Sequence, residues 1–402
     1  MIRWGARTLV RAGVPREIWV LVAAAFCVAL GYGIIAPILP QYAQSFNVSI
    51  GAASAIVSAF ALMRLVFAPP GGALINRFGE RNVYTAGLLI VAASTAGCAF
   101  AQTYEQLLVV RALGGVGSTM FTLSAMGLIV RVAPPEMRGR VSALYGAAFL
   151  SGTIGGPLLG TALAFLGYRT PFLIYAVALL IAAAVVAVNL SGVRIDAPTE
   201  GDARPTLTLR EALRLPAYRA LLSAQFANGW VNFGVRISLL PLLAASVPTL
   251  GAPLAGLGLT AYALGNFLVL QVSGRLVDTR GRRKVVLVGL TVAGAVSLPF
   301  GWLTEPLPFL ALAALAGAGA SLIQPAQQAA FADILGRDRA GGQALATYSM
   351  VGDLGGVLGP IVGGLIADRF GFGWAFTLSG LLLLLAVVPW WRAPETLQRA
   401  PA

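Results

Sequence analysis

Four charged residues interrupt long apolar runs of the sequence: Arg64, Arg111, Arg236 and Asp353. An ion in hydrocarbon is costly unless paired or hydrated, so each is a functional candidate first. Asp353, the one carboxylate deep in such a run, can be ionised and paired with an arginine, or protonated and released. Polar residues gather at helical spacing around the same charges. Gln225, Asn228, Asn232 and Arg236 are three, four and four positions apart, which puts them on one helical face. Arg111, Ser118 and Thr122 form a second stripe, and Gln324 and Gln328, around Pro325, a third. In lipid such groups turn inward, to bond one another or to line a substrate path. Tyr32 and Trp230 offer apolar surface beside them, with cation–π contact open to both.

Other chemistry has nothing to stand on. The chain has no histidine, so His–Cys zinc sites, Ser-His-Asp triads and imidazole relays are excluded. Cys27 and Cys98 sit in apolar stretches and read as small core hydrophobes. No nucleophile–base pair or metal set is found, so neither an enzyme nor a bound cofactor is expected.

The elements that position these residues follow from composition. Hydrophobic residues make up 58% of the chain and charged ones 11%, with a mean hydropathy of +0.82. A soluble domain carries about 25% charged residues, and so little polar surface could not cover a globule of 402 residues. A spanning helix needs roughly 20 apolar residues, and twelve such stretches run from Ile18–Tyr42 to Trp374–Trp391. The first is too long for a signal-peptide core and reads as an uncleaved span. The expected class is an all-α integral membrane protein.

Charge placement sets the expected topology. Of 28 basic residues, Arg64, Arg111 and Arg236 fall within stretches, Arg169 and Arg369 in one set of loops, and the rest in the alternate set. Basic loops stay inside, so both termini are expected in the cytoplasm. The same dispersion explains the net charge of +13 without a nucleic-acid partner.

The stretches divide in two. Pro40 and Pro241, Gly72 and Gly274, Gly115 and Gly317, Gly117 and Gly319, and Pro157 and Pro360 recur at offsets of 201 to 203 residues. Such a repeat predicts two six-helix halves, 1–190 and 217–402, joined by a cytoplasmic linker, 191–216, in which Thr208–Leu215 can form a short surface helix. Paired halves with a site between them near the bilayer midplane are an architecture of secondary transporters.

Motifs sharpen the reading. The loop from Gly72 includes Asn76, Arg77, Gly79 and Arg81, and the loop from Gly274 includes Asp278, Gly281, Arg282 and Arg283. The second resembles G-x-L-x-D-x-x-G-R-R, the cytoplasmic signature of the major facilitator superfamily. The first departs from it by placing Asn76 where the family has Asp. Gly152, Gly156, Pro157 and Gly160 are similar to the G-x-x-x-G-P-x-x-G element of its twelve-helix drug:proton antiporter branch, and Gly355, Gly359, Pro360 and Gly363 repeat the pattern. Arg111-Ala112-Leu113-Gly114-Gly115-Val116-Gly117 resembles the family's R-x-x-x-G-x-G element.

The resemblance implies a monomeric multi-pass transporter of the cytoplasmic membrane, working by alternating access and driven by a proton gradient. Proton-coupled export of amphipathic organic compounds, drugs included, is the expected function. One specific metabolite, such as a sugar or organic acid, is the alternative, and a non-transporting sensor a further one. Spans 1, 4, 7 and 10 would line the cavity. Spans 5 and 8, and 2 and 11, would meet between the halves, with the glycine stripes as sliding contacts. Asp278 would latch a gate through an arginine and a helix N-terminus, and uncharged Asn76 would latch more weakly. Arg111 would serve the cavity or proton coupling. Arg64 and Asp353 would pair across the halves, as a switch or a fixed ion pair, with Arg236 as the other possible partner of Asp353. Unlike many multidrug antiporters, the first span carries no carboxylate between Ile18 and Pro40.

Overall fold

The computed structural model describes residues 15–132, 137–190, 207–335 and 342–397. Twelve helices are long and apolar enough to cross a membrane. We number them α1 (Arg16–Ile35), α2 (Ile50–Phe78), α3 (Glu80–Phe100), α4 (Tyr104–Val132), α5 (Arg138–Leu163), α6 (Thr170–Asn189), α7 (Pro216–Ser246), α8 (Ala252–Arg280), α9 (Arg282–Phe300), α10 (Pro306–Leu335), α11 (Gly342–Phe370) and α12 (Phe372–Arg392). They form two six-helix sets, α1–α6 and α7–α12. Large apolar side chains such as Phe165, Leu307, Val188 and Trp391 stand exposed around the bundle, as a lipid solvent allows and water does not.

Three elements depart from a plain run of spans. The first apolar stretch breaks after Ile35 and resumes as the short helix Leu39–Gln44: Ala36 is still helical, but Pro37 has no N–H to continue the ladder, and Pro40 enters at a helix start. α7 contains a π-helical segment, Gly229–Val235, between two α-helical parts. The connection before α7 holds the short helix Leu209–Arg214, closed by a capping box between Thr208 and Glu211; linker residues 191–206 lie outside the described residues.

Packing repeats with the sequence. Gly115 lies against the Phe60 carbonyl of α2, and Gly317 against the Tyr262 carbonyl of α8. Gly117 meets the Gly87 carbonyl of α3, and Gly319 the Gly289 carbonyl of α9. Phe60 and Tyr262, like Gly87 and Gly289, stand 202 residues apart. Gly79 and Gly281 end α2 and α8 with φ of 77° and 96°, a turn only glycine makes without strain.

The two glycine-proline stripes do not lie between the halves. Gly152, Gly156 and Gly160 pack on the α1 backbone at Phe26, Leu30 and Ile34, while Gly355 and Gly359 pack on α7 at Phe226 and Trp230, and Gly363 on Val235 and Leu239. The expected sliding role is corrected: these glycines fuse neighbouring helices within one half. Other residues make the sliding surfaces. Gly364 of α11 faces the Gly51 Cα of α2, and Gly256 of α8 faces the Pro157 carbonyl of α5.

A Cβ at Gly156 would stand 2.5 Å from the Leu30 carbonyl oxygen and 2.6 Å from the Gly33 Cα, both backbone, whereas one at Gly72 would meet nothing within 4 Å. Gly156→Ala is therefore expected to cost about 1–3 kcal/mol through overpacking, read as a lower melting temperature of the detergent-solubilised protein. Gly72→Ala should leave that temperature unchanged.

Candidate functional site

The α7 stripe forms a hydrogen-bonded chain. Arg236 Nη1 donates to Asn232 Oδ1, and Asn232 Nδ2 donates to Asn228 Oδ1. The π segment thus keeps the four-residue spacing on one face. Gln225 is half-buried with its amide against Gly352 of α11. The Arg236 guanidinium lies 4.0 Å from the Tyr262 ring centroid. The Arg111 guanidinium lies 4.2 Å from the Phe60 ring and 5.9 Å from the Tyr32 ring. Arg111 and Arg236 are buried, and among the described residues neither forms an ion pair. A cavity lined by Tyr32, Val57, Phe60, Arg111 and Ile237 joins α1, α2, α4 and α7.

Arg64 of α2 and Asp353 of α11 stand on helices that pack together, but they form no ion pair. Arg64 Nη1 donates instead to Ser118 Oγ of α4 at 3.3 Å. The same stretch of α2 is fixed to α4 because the Thr119 hydroxyl donates to the Arg64 carbonyl at 3.0 Å. The expected pair is therefore corrected for this conformation: the two helices meet but the charges do not touch. Arg236 does not bond Asp353 either, being held by Asn232.

Thr122 donates to its own helix at Ser118. Gln324 and Gln328 stand exposed on one face of α10, where a polar side chain on a spanning helix needs water. Gln327, between them, is buried and accepts from the Tyr348 hydroxyl at 2.7 Å. Trp230 is corrected as a cavity residue: it is buried, and its Nε1 donates to Ser379 of α12 at 3.2 Å.

The ends of the bundle differ. At the end carrying most basic loops, the polar contacts among the described residues stay within each set of six. Arg81 donates to the Ala187 carbonyl, and Arg77 lies over Phe78. Asp278 pairs with Arg282 four residues on, at 3.2 Å, and Arg282 also pairs with Asp333 at 3.0 Å. The α9 N-terminus is capped not by Asp278, as expected, but by Glu395, which accepts from Arg282 N at 2.9 Å and Arg283 N at 3.2 Å. Thr396 bonds Asp333, completing a cluster confined to α8–α12 and the chain beyond. The Asn76 side chain lies outside the described residues.

At the opposite end the two sets are joined. The Asp368 carboxylate of α11 accepts from the backbone N–H groups of Ile50 and Gly51, at 2.7 Å each, capping the first turn of α2. Deeper in, Ser58 Oγ donates to the Val357 carbonyl at 2.6 Å. Asp368 was missed by motif reading, yet a signal existed. A carboxylate in the last turn of a helix opposes that helix's own dipole and gains by finding another helix's N-terminus.

A twelve-helix bundle closed at one end over a polar, charged interior defines a membrane transporter rather than an enzyme. The Major Facilitator Superfamily model matches residues 21–251 and 221–402, and the chain belongs to this family. The chain is 25% identical over 384 residues to a multi-drug resistance efflux pump PmrA homolog of Lactococcus lactis, covering 93% of each. It is 29% identical over 157 residues to the quinolone resistance protein NorA of Staphylococcus aureus, 39% of this chain and 40% of that one. In fold it resembles a bacterial homolog of the human lysosomal transporter Spinster, inward-facing and occupied, with a TM-score of 0.77 at 16% identity over 93% of this chain and 95% of that one. A D-xylose-proton symporter gives 0.77 at 17% identity over 94% and 98%.

The Asp368 cap yields a test. In a Cys27→Ser, Cys98→Ala background, a cysteine placed at buried Ser54 is expected to react several-fold faster with a maleimide once Asp368→Ala is added. An unchanged rate would show that the cap does not hold this end shut.

Proposed function

We propose that this transporter exports amphipathic organic compounds in exchange for protons, working as a monomer in the cytoplasmic membrane. The basic loops face the cytoplasm, which makes the end closed by Asp368 the outer one and the captured state open inward. The halves, 1–190 and 217–402, rock about the α2–α11 and α5–α8 contacts, with 191–216 as tether. The observation that carries the reading is the geometry of Asp353. It is a half-buried acid on α11, which packs against the α2 helix that carries Arg64, and it is not bonded to that arginine, whose guanidinium donates to Ser118.

Coupling then runs through one proton. In the outward-open state the Asp353 carboxylate takes a proton from outside, which removes its attraction for Arg64. In the inward-open state it releases that proton to the cytoplasm, and substrate enters from the same side. Asn228, Asn232, Gln324 and Gln328 contact substrate, while Arg111 and Arg236 set the field there. No cofactor is required, since the proton gradient supplies the energy. Support for export comes from the efflux-pump relatives, one matched over nearly its whole length.

Proton-gradient-driven accumulation in inverted vesicles, across a compound panel, checks this. Asp353→Asn is expected to abolish gradient-driven accumulation while leaving energy-independent exchange. Full accumulation by that variant would refute the coupling role. Arg64→Asp combined with Asp353→Arg should recover activity relative to either single change; no recovery would count against a functional pair.

A further inference from the structure

We propose that the substrate class is an organic anion, a carboxylate or sulfonate on an apolar body, received by two arginine-on-aromatic units near the closed end of the cavity. The inference rests on the export reading and names the cargo of the same site.

The first argument is charge. Arg111 and Arg236 are only 3% and 5% exposed. Arg64 adds a third interior cation, against the single carboxylate of Asp353. Two positive charges therefore lack a counter-ion among the described residues. Arg111 Nε is buried with no hydrogen-bond partner, and Arg236 bonds only neutral groups, the Asn232 amide and the Tyr262 side chain. A guanidinium carries five donors, so both retain unused capacity aimed at an acceptor. An aromatic face eases the burial of a cation but does not cancel its charge.

The second argument is symmetry. Phe60 and Tyr262 are repeat counterparts, 202 residues apart, and each lies under one guanidinium. The arginines are not counterparts: Arg111 corresponds to Ala313 and Arg236 to Ile35. The scaffold repeated its rings, while the two cations reached equivalent places from different helices, α4 and α7. A charge serving the fold would be expected to repeat with the fold.

The third argument is position. Arg111 lies seven residues inside α4 from Tyr104, and Arg236 ten residues before Ser246, both helix ends at the closed side. At 1.5 Å per residue these depths are about 10 Å and about 15 Å. Ile35, Val57 and Ile237 line the adjoining gap, which at about 10 Å³ has room for about one water in this conformation.

The test uses the full chain in lipid nanodiscs with three fluorescent probes of one skeleton: pyrenebutyrate, its primary amide, and pyrenebutyl-trimethylammonium, each corrected against empty nanodiscs. The acid is expected to bind at least about tenfold more tightly than the other two. Arg111→Gln and Arg236→Gln should each remove about tenfold of that affinity and leave the amide unaffected. Arg111→Lys and Arg236→Lys, which keep the charge, should retain the preference. Equal or tighter binding of the amide or the cation, no binding of any probe, or wild-type acid affinity in a folded Gln variant would overturn the proposal. The same series in inverted vesicles separates the two readings. Gradient-driven uptake of the cation but not the acid would overturn this inference and leave export standing. Tight acid binding with no gradient-driven uptake would sustain this inference and remove proton-driven export.

Discussion

Helices in lipid gain nothing from the hydrophobic effect by touching one another, so their backbones must come close enough for packing to hold them. Here glycine supplies that approach at repeated positions. Gly115 and Gly317 press on α2 and α8, Gly156 and Gly359 on α1 and α7, and each meets backbone atoms rather than a side chain. Backbone against backbone leaves no rotamer to relax. Each set of six helices is thereby tightly joined, while α2 and α11, and α5 and α8, pack broadly against one another across the seam.

Those crossing contacts are built differently. Gly51 and Gly364 meet over a flat surface, and the bonds that span the seam are few: Asp368 to two N–H groups, and Ser58 to one carbonyl. Fused helices inside each set and sparse bonds between the sets are what rigid-body rocking needs. The basic-end cluster of Asp278, Arg282, Asp333 and Glu395 is closed on its own half, so in this conformation it ties nothing across the seam.

Much of this was legible in the residues. The twelve spans followed from hydropathy, because a spanning helix must satisfy its own backbone and show lipid an apolar surface. The α7 chain from Asn228 to Arg236 followed from spacing alone. Partner choice did not. A glycine stripe announces close approach without naming the helix approached, so the stripe on α5 was assigned to the wrong neighbour. Trp230 lies on a polar-looking helix, yet it stands two residues from both Asn228 and Asn232, on the other side of that helix, and its indole bonds Ser379. Arg64 and Asp353 lie on helices that meet, as expected, but a shared interface does not fix a rotamer, and Ser118 on the adjoining helix captures the guanidinium. Glu395 and Asp368 act through backbone N–H groups, which carry no residue signature.

The Asp368 cap sits at the surface, where its carboxylate remains exposed. A carboxylate at a helix N-terminus in such a setting contributes about 0.3–1 kcal/mol. A bond of that size shifts a two-state population by no more than about fivefold, so it biases the molecule without committing it. Breaking this one bond therefore adds little to the difference between closed and open forms. In the proposed proton-driven cycle, little of the gradient would be consumed in breaking this bond.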